Sequence, residues 1–297
     1  MEENELINSF TDYLSKVKKS GSHTVTSYHN DLSQFDEYLS TEYQCVLSQS
    51  VKSSYIRSWL ASLIESKNEP STVARKLSSV RSFFKYLMKN GFVDSNPARL
   101  IKAPKRKKAI PNFVTENQMH NLLIQPTEEL GDFSKLRNNI IVELLYGAGL
   151  RLSEAIELKT SDLDLYQAMI KVLGKRNKER VIPIGELLCQ RLEHYLRIKH
   201  SMGFTVDYVL VTNTGDKLYP QFIYRVVKGE LSAVTTLKKR SPHVLRHTYA
   251  THLLNNGAEL NAIKELLGHA NLSATQIYTH TTIEKLKDAH RKAHPKS

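Results

Sequence analysis

Six side chains in this sequence have types and spacings that could act together on a phosphate: Arg151, Lys175, His243, Arg246, His269 and Tyr278. They supply two guanidinium groups, an amine, two imidazoles and a phenol, with no carboxylate pair and no metal-ligating set. A phenol oxygen can attack a phosphodiester and remain bound to phosphorus, which splits one hard displacement into two reversible ones. Two guanidinium groups can stabilise the charge on the pentacovalent phosphorus. A free tyrosine loses its proton only near pH 10, so such a reaction needs a base beside it.

The elements that must hold these groups can be read in turn. In "SPHVLRHTYATHLLNNG" Ser241 is placed to cap a helix, Pro242 to open it and Gly257 to end it. His243 then falls in the first turn and Arg246 one turn on, at a helix end whose free N–H groups favour an anion. His243 and His247 also have the spacing of two zinc ligands. The metalloprotease pattern requires Glu after the first His, however, and Val244 stands there, so no metal is expected. In "GAGLRLSEAIEL" glycines permit a tight turn that aims Arg151, and Ser153 is read as the cap of the next helix. Glu154 either orients Arg151 or complements the dipole at that helix start.

"QAMIKVLGKRNKERVIPIG" sets two Val- and Ile-bearing runs around a polar turn, which predicts a β-hairpin with Lys175 at its lip. Lys175 there can serve as a phosphate contact or a proton donor. "AELNAIKELLG" predicts a helix ended by Gly268, leaving His269 at its exit. Ser273 with Gln276 then starts a short helix carrying Tyr278, and Thr281 with Glu284 starts another beyond it. So short a segment suits a movable nucleophile better than a core anchor.

The first hundred residues look helical throughout. "SHTVTSYHNDLSQFDEYLS" places Tyr28, Leu32, Phe35 and Leu39 on one face, and "PSTVARKLSSVRSFFKYLMKNG" runs from Pro70 to Gly91. Between residues 102 and 111 there are five bases and no acid, with prolines on either side. The expected layout is a helical bundle over 1–101, a basic linker over 102–111 and a mostly helical domain with a small β-hairpin over 112–297. The formal net charge of +12 suits a polyanionic partner. The linker bases Lys105, Arg106, Lys107 and Lys108 either lie along a phosphate backbone or make a solvated connector, and with Arg75 and Arg81 in the bundle they are the candidate DNA contacts. No apolar run spans a bilayer, the first residues lack a signal-peptide pattern, and Cys45 and Cys189 form no framework. A reduced, cytoplasmic protein is expected, without membrane contact.

The stretches "GAGLRLSE", "GKRNKERVIPIG", "SPHVLRHTYATHLL", "LLGHANLSATQIYTH" and "IEKLKDAH" resemble the tyrosine recombinases of the phage-integrase family, in the Xer-type branch that resolves chromosome dimers. The resemblance covers nearly all of residues 145–290, and "SYHNDLSQFDEYL" is similar to the family's SAM-like core-binding domain. It implies Arg151, Lys175, His243, Arg246 and His269 as the activating set, Glu154 as a supporting acid and Tyr278 as nucleophile. Lys175 would protonate the departing 5′-oxygen, His243 would act as acid and base, and His269 would support the phosphate. It further implies a 3′-phosphotyrosyl intermediate without cofactor, ATP or metal, in a two-domain clamp around duplex DNA. Implied partners are a homo- or hetero-tetramer with a second Xer-type recombinase and a DNA translocase of the division septum. The tail from Thr282, with Ile283, Leu286 and Ala289 in register, would dock on a neighbouring protomer. A mobile-element integrase and a type IB topoisomerase share this chemistry, and a DNA-binding module without catalysis shares the charge. The compact first domain, with no room for an extra arm-binding domain, favours the Xer role.

Overall fold

The computed structural model describes residues 3–47, 51–104, 113–123, 132–174, 179–268 and 293–294. They form two compact units, Met1–Ala109 and Ile110–Ser297. The class is the mainly helical one with a small sheet that the sequence leads one to expect.

In the first unit, α1 (Glu3–Asp12) runs into a π-helical turn at Tyr13–Val17, followed by α2 (Ser22–Tyr43), α3 (Ser53–Glu65) and α4 (Pro70–Lys89). The stripe on α2 behaves as its period requires: Leu32, Phe35 and Leu39 are fully buried, and Tyr28 packs at the edge of the same core. Pro70 opens α4, where its missing N–H costs nothing, and Gly91 follows its end at φ 74°. Phe83 on α4 meets Phe10 edge-on at 5.5 Å, and Phe35 lies 4.7 Å from Trp59. One polar knot interrupts this apolar packing. Buried Asp31 on α2 accepts from Ser79 at 2.7 Å and Lys76 at 3.3 Å, and also pairs with Arg75.

The second unit is built around α6 (Phe133–Gly147), whose apolar residues are buried on nearly every side. Helix α5 (Glu116–Leu123) precedes it, and α7 (Leu152–Glu157) follows a tight turn. Strands β1 (Leu163–Asp164), β2 (Met169–Leu173) and β3 (Glu179–Pro183) form an antiparallel sheet in the order β1-β2-β3. The β2–β3 pair is the hairpin expected from the Val and Ile runs, and β1 is a short addition to it. Then come α8 (Glu186–Ser201), α9 (Pro220–Val234), α10 (Pro242–Asn255) and α11 (Leu260–Leu267). Helices α8, α9 and α10 pack on α6, while α11 packs against α10 and β3. No helix among the described residues is long and apolar enough to cross a membrane.

The turn after α6 depends on one glycine. Gly149 has φ +60°, and a Cβ added there would lie 2.6 Å from Cδ1 of the buried Tyr249 ring. Gly149→Ala is therefore expected to be destabilising on two counts. The left-handed backbone costs roughly 1–2 kcal/mol for a residue with a side chain, and overpacking adds about 1–3 kcal/mol. A drop in the urea midpoint at unchanged slope would report it, and an unchanged midpoint would show that the ring yields freely.

Candidate active site

The second unit gathers arginines at one acidic residue. Arg151 caps α7, rather than Ser153 as expected: Ser153 is exposed inside the first turn. The reason is local, because Glu154 sits three residues after Arg151 and accepts its backbone N–H at 2.8 Å. The other Glu154 oxygen accepts from Arg151 Nη1 at 2.6 Å. Of the two roles open to Glu154, orienting Arg151 is thus directly visible.

Arg246 reaches the same carboxylate from α10. Ser241 and Pro242 start that helix as anticipated, although the Ser241 side chain makes no capping bond. His243 is exposed in the first turn, whereas Arg246 turns inward. Its Nη1 donates to Gly149 O and its Nη2 to Leu267 O, with Glu154 Oε2 3.8 Å away. The Arg151 side chain stays about one-third exposed and also donates to Gly268 O at 2.9 Å.

A third arginine completes the cluster, one not singled out in the sequence. Arg180 on β3 is 4% exposed and grips Glu154 with two parallel bonds, Nη1 to Oε1 at 2.7 Å and Nη2 to Oε2 at 2.8 Å. A signal for it was present. Side chains alternate along a strand, so Arg180 shares the inward face with Ile182, and a charge in such a slot demands a partner.

These neighbours set the charge states. Burial by itself would raise the Glu154 carboxyl, but the hydrogen bond and charge of Arg180, then the bonds from Arg151, hold it at about 2. Burial lowers Arg246 to about 10, helped by the charge of Arg151, and it stays protonated at neutral pH. The Glu154 shift is downward, so its stabilisation is fully present above the ordinary carboxyl value near 4.5 and fades as pH falls toward 2. The shift corresponds to roughly 3 kcal/mol. The stability difference between wild type and Glu154→Gln is accordingly expected to shrink by about that amount between pH 5 and pH 2. A difference independent of pH in chemical denaturation would contradict it.

Three guanidinium groups against one carboxylate leave a net positive charge, and the less buried pair, Arg151 and Arg246, suits an anion with several oxygens. Tyr249, the tyrosine packed beneath Gly149, is fully buried and its phenol is pushed up by that burial, so it is closed to substrate. Lys175, His269 and Tyr278 lie outside the described residues, as do Lys105, Arg106, Lys107, Lys108 and the tail positions Ile283, Leu286 and Ala289. The described chain leads up to two of them: β2 and β3 precede and follow the segment that contains Lys175, and Gly268 ends α11 with φ +62° just before His269. In the first unit, Arg75 is exposed but pairs with Asp31, and Arg81 donates to Ala98 O at 3.2 Å and Ile101 O at 2.7 Å. Among the described residues no three His, Cys, Asp or Glu side chains are grouped to hold a metal ion.

Residues 112–285 match the phage integrase family, and residues 7–91 match the phage integrase N-terminal SAM-like domain. The chain belongs to the phage integrase family. Two curated relatives are tyrosine recombinases named XerC. The one from Chlorobaculum tepidum is 36% identical, covering 97% of this chain and 94% of its own. The one from Thermodesulfovibrio yellowstonii is 38% identical, covering 98% and 96%. Among solved structures, the Tn1549 transposon integrase in complex with transposon right end DNA aligns with TM-score 0.74 at 20% identity. That alignment covers 96% of this chain and 99% of the integrase, and it shows the shared fold. Within the phage integrase family the chain is an enzyme of the tyrosine recombinase class, which cleaves DNA and exchanges strands.

Proposed function

We propose that this tyrosine recombinase joins DNA site-specifically through Tyr278, and that its cellular task is the resolution of chromosome dimers at cell division. The observation that carries the reading is the convergence of Arg151 and Arg246, from two different elements, on Glu154. Two oriented guanidinium groups can hold the non-bridging oxygens of one scissile phosphate. The Tyr278 oxygen attacks phosphorus, the bond to the 5′-oxygen breaks, and a 3′-phosphotyrosyl link forms. His243 takes part as acid and base, Lys175 gives the leaving 5′-oxygen its proton, and His269 steadies the phosphate. A 5′-hydroxyl from the partner strand then reverses the step, releasing the tyrosine, so no energy source or metal is consumed.

In this reading residues 1–101 are the core-binding domain, 102–111 the basic linker and 112–297 the catalytic domain. Lys105, Arg106, Lys107 and Lys108 track the phosphate backbone, with Arg75 and Arg81 supporting the binding face. The partners are duplex DNA, a tetramer of this chain alone or with a second Xer-type recombinase, and a septal DNA translocase, in the cytoplasm. The near-full-length likeness to XerC tyrosine recombinases supports that role.

The test uses the full-length protein and nicked duplexes carrying sequences it selects from a random library. A covalent protein–DNA adduct should form, persist with chelator present, and map by peptide mass to the segment containing Tyr278. An adduct on another residue, or none, would overturn the assignment. Relaxation of supercoiled DNA without exchange between two duplexes would favour the topoisomerase reading instead.

A further inference from the structure

The exit of α11 presents three successive carbonyls, and each accepts from a different arginine. Leu266 O takes Arg180 Nε at 2.9 Å, Leu267 O takes Arg246 Nη2, and Gly268 O takes Arg151 Nη2 at 2.9 Å. The last carbonyls of a helix lack partners within it and carry its negative dipole end, so they are natural acceptors for guanidinium groups. Arg180 is the most deeply buried member of this row. It cannot touch a DNA phosphate from its inward slot on β3, so its effect must pass through other groups.

We propose that Arg180 is a positioning residue for strand cleavage, fixing the Glu154 carboxylate and the α11 exit so that Arg151 and Arg246 meet one phosphate. The inference rests on the reading of Arg151 and Arg246 as the phosphate-holding pair. Its planar fork occupies both Glu154 oxygens and so sets the rotation of the carboxylate against which Arg151 leans. Its third bond pins Leu266, one residue before the carbonyl that holds Arg246. It thereby joins β3 to α7 and to the end of α11. Space for the arm comes from Gly268, where a Cβ would stand 3.1 Å from Arg180 Cδ. Lysine, a single ammonium on a flexible stem, cannot make the paired contact.

The experiment follows single-turnover cleavage of the selected nicked duplex by full-length wild type, Arg180→Lys and Arg180→Met. The cleavage rate is expected to fall roughly 10- to 100-fold, as for misaligned reacting groups. DNA affinity should stay within about 3-fold, because the exposed phosphate contacts are untouched. The pH profile of the rate, normalised to the folded fraction measured at each pH, supplies a readout that loss of fold would not move. Among the described residues Glu154 faces Arg151 on its own element, Arg180 on β3 and Arg246 on α10, with Tyr249 beside them. Removing Arg180 takes away its strongest opposing charge, so the acid limb of the rate profile should move to higher pH by about one unit or more. Arg180→Lys keeps charge and serves where Arg180→Met does not fold, and added guanidinium ion should restore part of the rate in the folded variant. A rate within about 2-fold of wild type overturns the proposal. So does a parallel loss of rate and affinity with an unmoved profile. Absence of an adduct with wild type itself would overturn the parent reading, and this one with it.

Discussion

Glutamine in place of Glu154 is expected to destabilise the folded protein by about 3–5 kcal/mol at pH 7, the usual cost of removing one partner from a buried ion pair. The substitution keeps the shape, so no cavity forms and the loss is electrostatic. One amide oxygen remains to accept, while the NH2 group is aimed at donors of Arg180 or Arg151. Among the described residues, three arginines then share one site without a counter-charge. Chemical denaturation at pH 7 would measure this loss. DNA affinity is expected to move the other way or hold, since the surface gains one unit of positive charge and phosphate binding follows that charge. Stability and affinity falling together would mean that the carboxylate shapes the DNA-binding face more widely than the cluster suggests.

Arg246→Met is expected to separate activity from stability. Loss of a guanidinium that stabilises transition-state charge lowers cleavage by roughly 10²–10³-fold. The fold is expected to lose no more than about 3 kcal/mol, because the cost of burying the charge and the worth of its hydrogen bonds oppose each other. Arg246 is depressed to about 10 by burial and by Arg151, so its charge costs the native state roughly 3 kcal/mol. Its removal relieves that cost but leaves Gly149 O and Leu267 O without their donors, at about 1–3 kcal/mol each where water cannot enter. Methionine keeps most of the apolar stem in place. Single-turnover cleavage and a urea titration on the same preparation would check both parts. A collapse of stability would show that Arg246 is chiefly a structural bolt between α10, the Gly149 turn and the α11 exit.

Much of the scaffold was legible because its signals are local. Pro70 and Gly91 bracket α4, Ser241 and Pro242 open α10, Gly268 closes α11, and the Val and Ile runs pair as β2 and β3. Arg151, Glu154, His243 and Arg246 could be picked out from their places beside glycines and helix starts. What stayed hidden depends on partners distant in sequence. Arg180 looks like one more base in "GKRNKER" until strand parity turns it inward to Glu154, 26 residues away. Ser153 suggests itself as the cap of α7, because a serine before an acidic residue is a common start signal. Here the carboxylate reaches back to Arg151 instead. Strand β1 is two residues long and carries no alternation to detect. The charges of α4 look alike in sequence, yet Arg75 answers a buried aspartate on α2 and Arg81 answers carbonyls beyond the helix end.

The row of carbonyls at the α11 exit bears on how strongly this surface can attract substrate. Three cations could have been tethered by three carboxylates, and their fields would then have cancelled. Here uncharged peptide carbonyls share the holding with a single carboxylate, which supplies the only opposing formal charge among the described members of the cluster. Orientation is fixed without neutralisation, leaving close to two units of positive charge directed at whatever anion arrives. Under the proposed function the cluster is hydrogen-bonded in place before DNA binds, and the phosphate supplies the counter-ion that its described members lack.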